Sequence, residues 1–149
     1  MPDSKIRPLT LIGRANPDAK PGSGCPLYLS AVSAGWPSPA DNYIEEETNL
    51  HDVAVRNPAA TFFLRAAGDS MIGVGIHDGD LLVVDRSIPA GHNRIVIAAI
   101  DGELLVKKIV RRAGRVYLAP ANPEYPEIDI TDGEYLHIWG VVTYALHKL

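Results

Sequence analysis

The sequence predicts a mainly β fold, a small twisted barrel or sandwich preceded by a flexible N-terminal arm. Short runs rich in β-branched and aromatic residues recur from Thr61 to the C-terminus, with turn residues between them. The 13 glycines and 12 prolines exceed average usage, as expected for a chain with many turns. A length of 149 residues with 46% hydrophobic residues is enough for one domain with a single core.

The arm is predicted to extend to about residue 35. Five prolines and several glycines interrupt any helix in this stretch. Apolar residues alternate with small ones only near its end, over residues 26–35, where we expect an extended conformation. We therefore expect this part of the chain to be an arm and not a domain.

Short helices are predicted between the arm and the first strand of the core. Ser38-Pro39 is a helix start signal, so we expect a short acidic helix through residues 45–47. Asn49 is a candidate N-cap for a second short helix that reaches Val55. Asn57-Pro58 then ends the helical segment, because the residue before a proline disfavours helical backbone.

Six β-rich runs after this segment predict the strands of the core. They cover residues 61–67, 80–85, 94–100, 103–110, 115–118 and 135–146. Asp101-Gly102 tolerates positive φ at both central positions of a type I′ turn, so it predicts a two-residue hairpin. Strands of this length and spacing are typical of a small barrel or sandwich.

Charge and cysteine content exclude several classes of function. The net charge of −4 has the wrong sign for direct contact with nucleic-acid phosphates, and the basic residues of the arm form no cluster. Cys25 is the only cysteine, so no internal disulfide can form. Its neighbours, Gly22 to Pro26, include no base that could activate it as a nucleophile.

Targeting signals are also missing from the sequence. Residues 1–13 hold no apolar core of signal-peptide length. No window approaches the roughly 18 apolar residues of a membrane span. We therefore expect the protein in the cell interior, most simply the bacterial cytoplasm, with no membrane partner.

Ser70 is the first candidate nucleophile, because Gly68-Asp69-Ser70-Met71 lies where a strand gives way to a turn. A serine hydroxyl needs a base to remove its proton. His77 is close in sequence and is the natural histidine candidate, but the Gly-x-Ser-x-Gly elbow is absent and no Asp–His order recommends itself. Each of the five histidines is better explained as a surface or turn residue: His51, His77, His92, His137 and His147.

A lysine in an apolar strand is the alternative base. Lysine ordinarily titrates near pH 10.4, and desolvation lowers its pKa because burial disfavours the ammonium form. Lys107 and Lys108 both lie in such a strand, on opposite faces. Both faces are apolar, so strand periodicity alone does not decide which lysine points inward.

Five segments resemble, in the same order, the LexA, phage repressor and UmuD family of self-cleaving proteins. They are Gly68-Asp69-Ser70-Met71, residues 75–85, the hairpin Asp101-Gly102-Glu103-Leu104-Leu105-Val106-Lys107-Lys108, the loop Ala119-Pro120-Ala121-Asn122-Pro123-x-Tyr125-Pro126 and the closing strand Tyr135-Leu136-His137-Ile138-Trp139-Gly140-Val141-Val142. The similarity runs from about Ala34 to the C-terminus. It implies a core of the LexA C-terminal-domain type and a UmuD-like member, since too few residues precede it for a helix-turn-helix domain.

The resemblance also implies a Ser–Lys dyad that cuts its own chain. Ser70 takes the place of the nucleophile and Lys107 that of the base, with the backbone N–H groups of Asp69 and Ser70 as oxyanion donors. The family cuts an Ala-Gly or Cys-Gly bond ahead of the serine, and Ala34–Gly35 stands 36 residues before Ser70. The expected division is thus a removable arm, residues 1–34, and a peptidase and dimerisation core, residues 35–149. No cofactor and no metal site is expected.

The partners expected for this protein are implied by the resemblance alone. Such proteins respond to a RecA filament on single-stranded DNA, and the trimmed homodimer joins a Y-family, UmuC-like translesion polymerase in the SOS response. Two alternatives stay open: a non-catalytic interaction module, and a headless LexA-like transcriptional regulator acting by mixed dimerisation. The arm is longer at its start, residues 3–20, than is usual in the family, and its role is open.

Overall fold

The computed structural model describes residues 10–14, 25–28, 44–133 and 136–149 and confirms a mainly β protein. The strands are β1 (Thr10–Arg14), β2 (Cys25–Tyr28), β3 (Ile44–Thr48), β4 (Thr61–Arg65), β5 (Leu81–Asp85), β6 (Ile95–Ile100), β7 (Glu103–Arg112), β8 (Arg115–Ala119), β9 (Ile128–Asp129) and β10 (Leu136–Leu146). One short helix, α1 (Leu50–Ala54), and two 3-10 turns, Pro58–Ala60 and Ile72–Val74, complete the described elements. No helix in these ranges is long and apolar enough to span a membrane.

Eight strands form one antiparallel sheet in the order β1-β4-β5-β10-β6-β7-β8-β9, and β2 pairs with β3 separately. The last strand, β10, lies at the centre of the large sheet, between β5 and β6. The half of the sheet that leads to Ser70 is therefore joined to the half that carries Lys107 by a strand near the C-terminus. This pairing joins residues far apart in the sequence, so local sequence patterns do not predict it.

The six predicted strands are confirmed, and so is the hairpin between β6 and β7. Asp101 and Gly102 have φ angles of 49° and 79°, and Ile100 pairs with Glu103 directly across the turn. Positive φ at both central residues is the requirement of a type I′ turn. The tight hairpin fixes the register of β7, which carries Lys107 opposite Val96 of β6.

The predictions for the segment before β4 are only partly right. Asn49 is the N-cap of α1, and its side-chain carbonyl accepts a hydrogen bond from the Asp52 N–H at 2.8 Å, as expected. The acidic helix through residues 45–47 is wrong, because that stretch is β3 and pairs with β2 of the arm. A helix of one or two turns has little stability of its own, whereas a partner strand supplies backbone hydrogen bonds.

The arm also contributes a strand that the sequence did not predict. β1 pairs with β4 at the edge of the large sheet, with Thr10 opposite Arg65. β2 covers the beginning of the stretch expected to be extended, and the rest of that stretch lies outside the described residues. The domain boundary at residue 34 stays a prediction.

Two hydrophobic clusters cover the opposite faces of β6. Ile97 belongs to one cluster, with Leu64, Met71, Ile76, Leu82, Val84 and Val106 among its buried members. Val96 and Ala98 belong to the other, with Ile109, Leu118 and Val141. Because side chains alternate along a strand, burial on both faces accounts for the nearly continuous apolar run of β6.

Gly140 lies in β10 beside the end of β5. The pairing of β10 with β6 shifts register between Ile138 and Gly140. A Cβ atom at Gly140 would come within 2.6 Å of the Val84 Cγ1 atom, and Val84 is fully buried. The central strand therefore needs a residue without a side chain at this position.

Gly140→Ala is expected to destabilise the protein by about 1–3 kcal/mol, because the added methyl overpacks a buried site. Urea denaturation measures the change in the free energy of unfolding. Gly91→Ala is the matched control, since a Cβ there meets no described atom within 4 Å. Both changes reduce the entropy of the unfolded chain alike, so equal stabilities for the two variants would contradict the prediction.

Candidate active site

Ser70 lies in a turn that is hydrogen-bonded to the segment leading into β5. The Gly68 N–H donates to the Asp78 carboxylate at 2.7 Å. Ala66 is bound at both of its backbone groups: its N–H donates to the Asp80 carbonyl and its carbonyl accepts from the Gly79 N–H, each at 2.8 Å. These bonds hold the residues just before Ser70 in one position.

The loop after β8 holds the other side of the same turn. The Ala121 N–H donates to the Ser70 carbonyl, and the Gly73 N–H donates to the Ala121 carbonyl, both at 2.7 Å. The Asn122 side-chain amide donates to the Asp69 carbonyl at 3.0 Å. Gly73 permits this approach, because a Cβ there would stand 2.5 Å from the Ala121 carbonyl oxygen. The serine is thus clamped between two segments distant in sequence.

Lys107 is brought to Ser70 by the middle of β7. Its side chain is buried, with 6% of the residue exposed, and its Nζ atom donates to the Ser70 Oγ atom at 2.8 Å. Lys108 is only half-buried and pairs across the strands with Ile95 and Ala119. Strand periodicity left the choice between the lysines open, and the tertiary structure places Lys107 at the serine.

Tyr125 joins the serine turn to the lysine, a role that sequence reasoning missed. Its hydroxyl donates to the Asp69 carboxylate. The Lys107 Nζ atom lies 5.6 Å from the centroid of its ring, within the range of a cation–π contact. Tyr125 is buried although it stands in a loop rich in Pro and polar residues. The resemblance of this loop to the family includes Tyr125 but indicates no role for the residue.

The contacts of His77 and His92 are with residues other than Ser70. His77 lies next to Asp80 and stacks on the His147 ring, with 4.2 Å between ring centroids. The His92 Nδ1 atom accepts a hydrogen bond from the Arg111 N–H. The group that contacts the serine hydroxyl is a lysine amine.

The structure does not test the predicted cleavage bond or the predicted oxyanion donors. Ala34 and Gly35 lie outside the described residues, so the cleavage bond stays a prediction. Asp69 and Ser70 do lie in one clamped turn. Their role as oxyanion donors depends on a docked substrate and stays a prediction as well.

Comparison with known proteins identifies the family. The family model described as Peptidase S24-like matches residues 26–143. The chain belongs to this family. Among curated members, MucA of Salmonella typhimurium is 51% identical over 122 residues, which cover 81% of this chain and 83% of MucA. SamA of Salmonella typhimurium strain LT2 is 48% identical over 126 residues, covering 85% and 87% of the two chains.

The chain is also similar to a repressor. The LexA repressor of Pseudomonas chlororaphis is 37% identical over 113 residues, or 76% of this chain and 55% of the repressor. These matches confirm the recognition of a UmuD-like protein of the LexA and UmuD family. The matched region contains both Ser70 and Lys107.

Lys107→Met is expected to leave the protein as stable as the wild type or to stabilise it by about 0.5–2 kcal/mol. Met has a similar volume, and it avoids the unfavourable burial of an amine at a functional site. Urea denaturation checks the change. Lys108→Met is the control, for which we expect a difference within about 0.5 kcal/mol because that residue is less buried. A clear loss of stability in Lys107→Met alone would show that the lysine has a mainly structural role.

Proposed function

We propose that this protein is a serine peptidase that cuts its own chain between Ala34 and Gly35, using Ser70 as nucleophile and Lys107 as base. One observation carries the proposal: a buried lysine amine lies 2.8 Å from the hydroxyl of a serine held in a clamped turn. Membership of the Peptidase S24-like family supports it. The geometry needs no histidine.

The proton transfer follows from the burial of Lys107. Burial disfavours the ammonium form, so a neutral amine becomes accessible nearer neutral pH than it is in water. The lone pair of a neutral amine accepts the hydroxyl proton along the same 2.8 Å line between Nζ and Oγ. The Ser70 oxygen, now able to attack, forms a bond to the carbonyl carbon of Ala34.

The remaining steps return the dyad to its starting state. The Ala34–Gly35 bond breaks, and the protonated Lys107 gives its proton to the Gly35 nitrogen as that amine leaves. A water molecule then attacks the ester on Ser70, with Lys107 taking its proton and passing it back to the serine oxygen. Backbone N–H groups of Asp69 and Ser70 stabilise the negative oxygen in both halves of the reaction.

Because the substrate is the protein's own arm, docking of the arm at the dyad controls cleavage. The arm belongs to the protein itself, so presentation of Ala34 replaces a bimolecular encounter with a local one. We propose that a RecA filament on single-stranded DNA favours the docked state in the bacterial cytoplasm. The trimmed homodimer then serves as accessory subunit of a UmuC-like Y-family polymerase in the SOS response. The similarity to MucA and SamA supports this proposal.

Ser70→Ala and Lys107→Ala are each expected to abolish cleavage, since each removes one partner of the proton transfer. The measurement is the intact mass of the full chain over time at neutral and mildly alkaline pH. Fragments ending at Ala34 and beginning at Gly35 should appear faster at the higher pH, where more of the lysine is neutral. Lys108→Ala is the matched control and should still be cut.

If the wild-type chain is not cleaved on its own, the experiment is repeated with the proposed activator. RecA, ATP and single-stranded DNA are added to the same reactions when the chain alone is stable. Cleavage that survives Ser70→Ala would exclude the mechanism. A wild-type chain that remains intact with the activator would leave a non-catalytic interaction module.

Tyr125→Phe is expected to slow cleavage by about tenfold or more without unfolding the protein. The ring beneath the Lys107 amine remains, but the hydroxyl that holds Asp69 is lost, and small shifts at a reacting group reduce rates strongly. The rate constant comes from the same mass measurement. Tyr144→Phe, at an exposed position of β10, is the control. Equal rates for the two variants would remove Tyr125 from the positioning of the turn.

A further inference from the structure

Three side chains that can bind metal meet where β5 begins and β10 ends. His77 and Asp80 precede β5, and His147 follows β10. The first residue of β5 pairs with the last residue of β10, Leu81 opposite Leu146, which brings Asp80 and His147 together. One ligand atom from each of the three residues lies within 4.8 Å of the other two. We propose that this cluster binds a divalent transition-metal ion such as Zn²⁺.

Asp80 stands at the centre of the cluster. One of its carboxylate oxygens lies 2.6 Å from the His147 Nδ1 atom, and the other lies 3.7 Å from the His77 Nδ1 atom. The carboxylate is 2% exposed, whereas the two imidazoles are about 40% exposed. The anchor of the site is thus rigid, and the two rings reach solvent and have room to adjust around an ion.

The His77 Nδ1 atom is a donor that the described residues leave available to an ion. It is shielded from solvent and has no hydrogen-bond partner within the described parts of the chain. Its distance from the Asp80 oxygen is too long for a hydrogen bond. Ligands about 2.0–2.1 Å from a tetrahedral Zn²⁺ stand roughly 3.3 Å apart, which is close to the 3.7 Å between these two atoms. The His77 and His147 rings are stacked, so at least one of them has to rotate before both nitrogens face the same ion.

The charge of the cluster suits a cation. Burial acts to raise the pKa of Asp80, but hydrogen bonds from the His77 N–H and the His147 ring outweigh it and lower the pKa. An ion at the His147 Nδ1 atom would take the place of the hydrogen bond between this nitrogen and the Asp80 carboxylate.

The donor set selects the type of ion. Two imidazole nitrogens and one carboxylate favour Zn²⁺, Ni²⁺, Cu²⁺ or Fe²⁺, whereas Mg²⁺ and Ca²⁺ prefer oxygen ligands. Three protein ligands leave a coordination position for water or for a donor from another molecule. Ligand spacing along the chain did not predict the site, because His147 is 67 residues from Asp80.

Metal binding would fasten the C-terminal end of β10 to the serine turn. Asp80 and Gly79 are hydrogen-bonded to Ala66, and Asp78 accepts from Gly68. The segment that carries two of the metal ligands is therefore the one that holds the residues before Ser70. The site belongs to the same rigid unit as the dyad, but it shares no ligand with the dyad.

The test is a titration of the untagged full-length chain with ZnCl₂ by calorimetry and with CoCl₂ by visible absorption. We expect one ion per chain and a Co²⁺ band typical of nitrogen and oxygen ligation. His77→Gln and His147→Gln should each weaken binding tenfold or more. His137→Gln and Cys25→Ser are the matched controls, since they remove another histidine and the only thiol, and should bind as the wild type does.

Two results would overturn the proposal. One is the absence of binding for both ions, with a thermal unfolding midpoint that does not change on addition of Zn²⁺. The other is binding of equal strength in the His77→Gln, His147→Gln double variant. Circular dichroism of the metal-free variants verifies that they are folded, so a loss of binding reports the loss of ligands. Cleavage at Ala34 is not part of the readout, so the outcome is independent of the peptidase proposal.

Discussion

The contact between a buried lysine and a serine is the constraint on which the rest of this structure depends. Lys107 is buried, with 6% of the residue exposed, so the fold must offer its amine a partner in place of water. The Ser70 hydroxyl at 2.8 Å and the face of Tyr125 are two such partners. The same desolvation that weakens the fold makes the neutral amine accessible, so the stability that is lost and the proposed chemistry have one origin.

Holding that contact requires three segments that are far apart in sequence. The serine turn follows β4, the lysine is in β7, and the loop after β8 hydrogen-bonds to the turn through Ala121 and Asn122. β10 joins the two halves of the sheet, and Gly140 lets it approach β5 closely enough to do so. A hydrogen-bonded sheet keeps such parts in fixed positions better than a loop would, as a proton transfer over one hydrogen bond demands.

The segment between β4 and β5 connects the proposed dyad to the proposed metal site. Its first residues, up to Ser70, contribute the nucleophile, and its last, His77 and Asp80, contribute two metal ligands. Hydrogen bonds from Ala66 and Gly68 to the end of the segment close it into one unit. His147, which follows β10, contacts Asp80, and the Asp80 carbonyl accepts a hydrogen bond from the Ala66 N–H in the segment that leads to the serine.

The sequence by itself determined the local features of the protein. Strand-forming runs, the Asp101-Gly102 turn and the Asn49 cap depend on residues close in the chain, and the resemblance of the motifs pointed to Ser70 and Lys107. Strand periodicity did not choose between Lys107 and Lys108, because both faces of β7 are apolar. The resemblance indicated Lys107, and the tertiary structure places its amine at the serine hydroxyl. Only the tertiary structure decided the pairing of β2 with β3, the place of Tyr125 and the meeting of Asp80 with His147. Each is a contact between residues whose separation along the chain leaves no local pattern, and only the packing of the whole sheet brings them together.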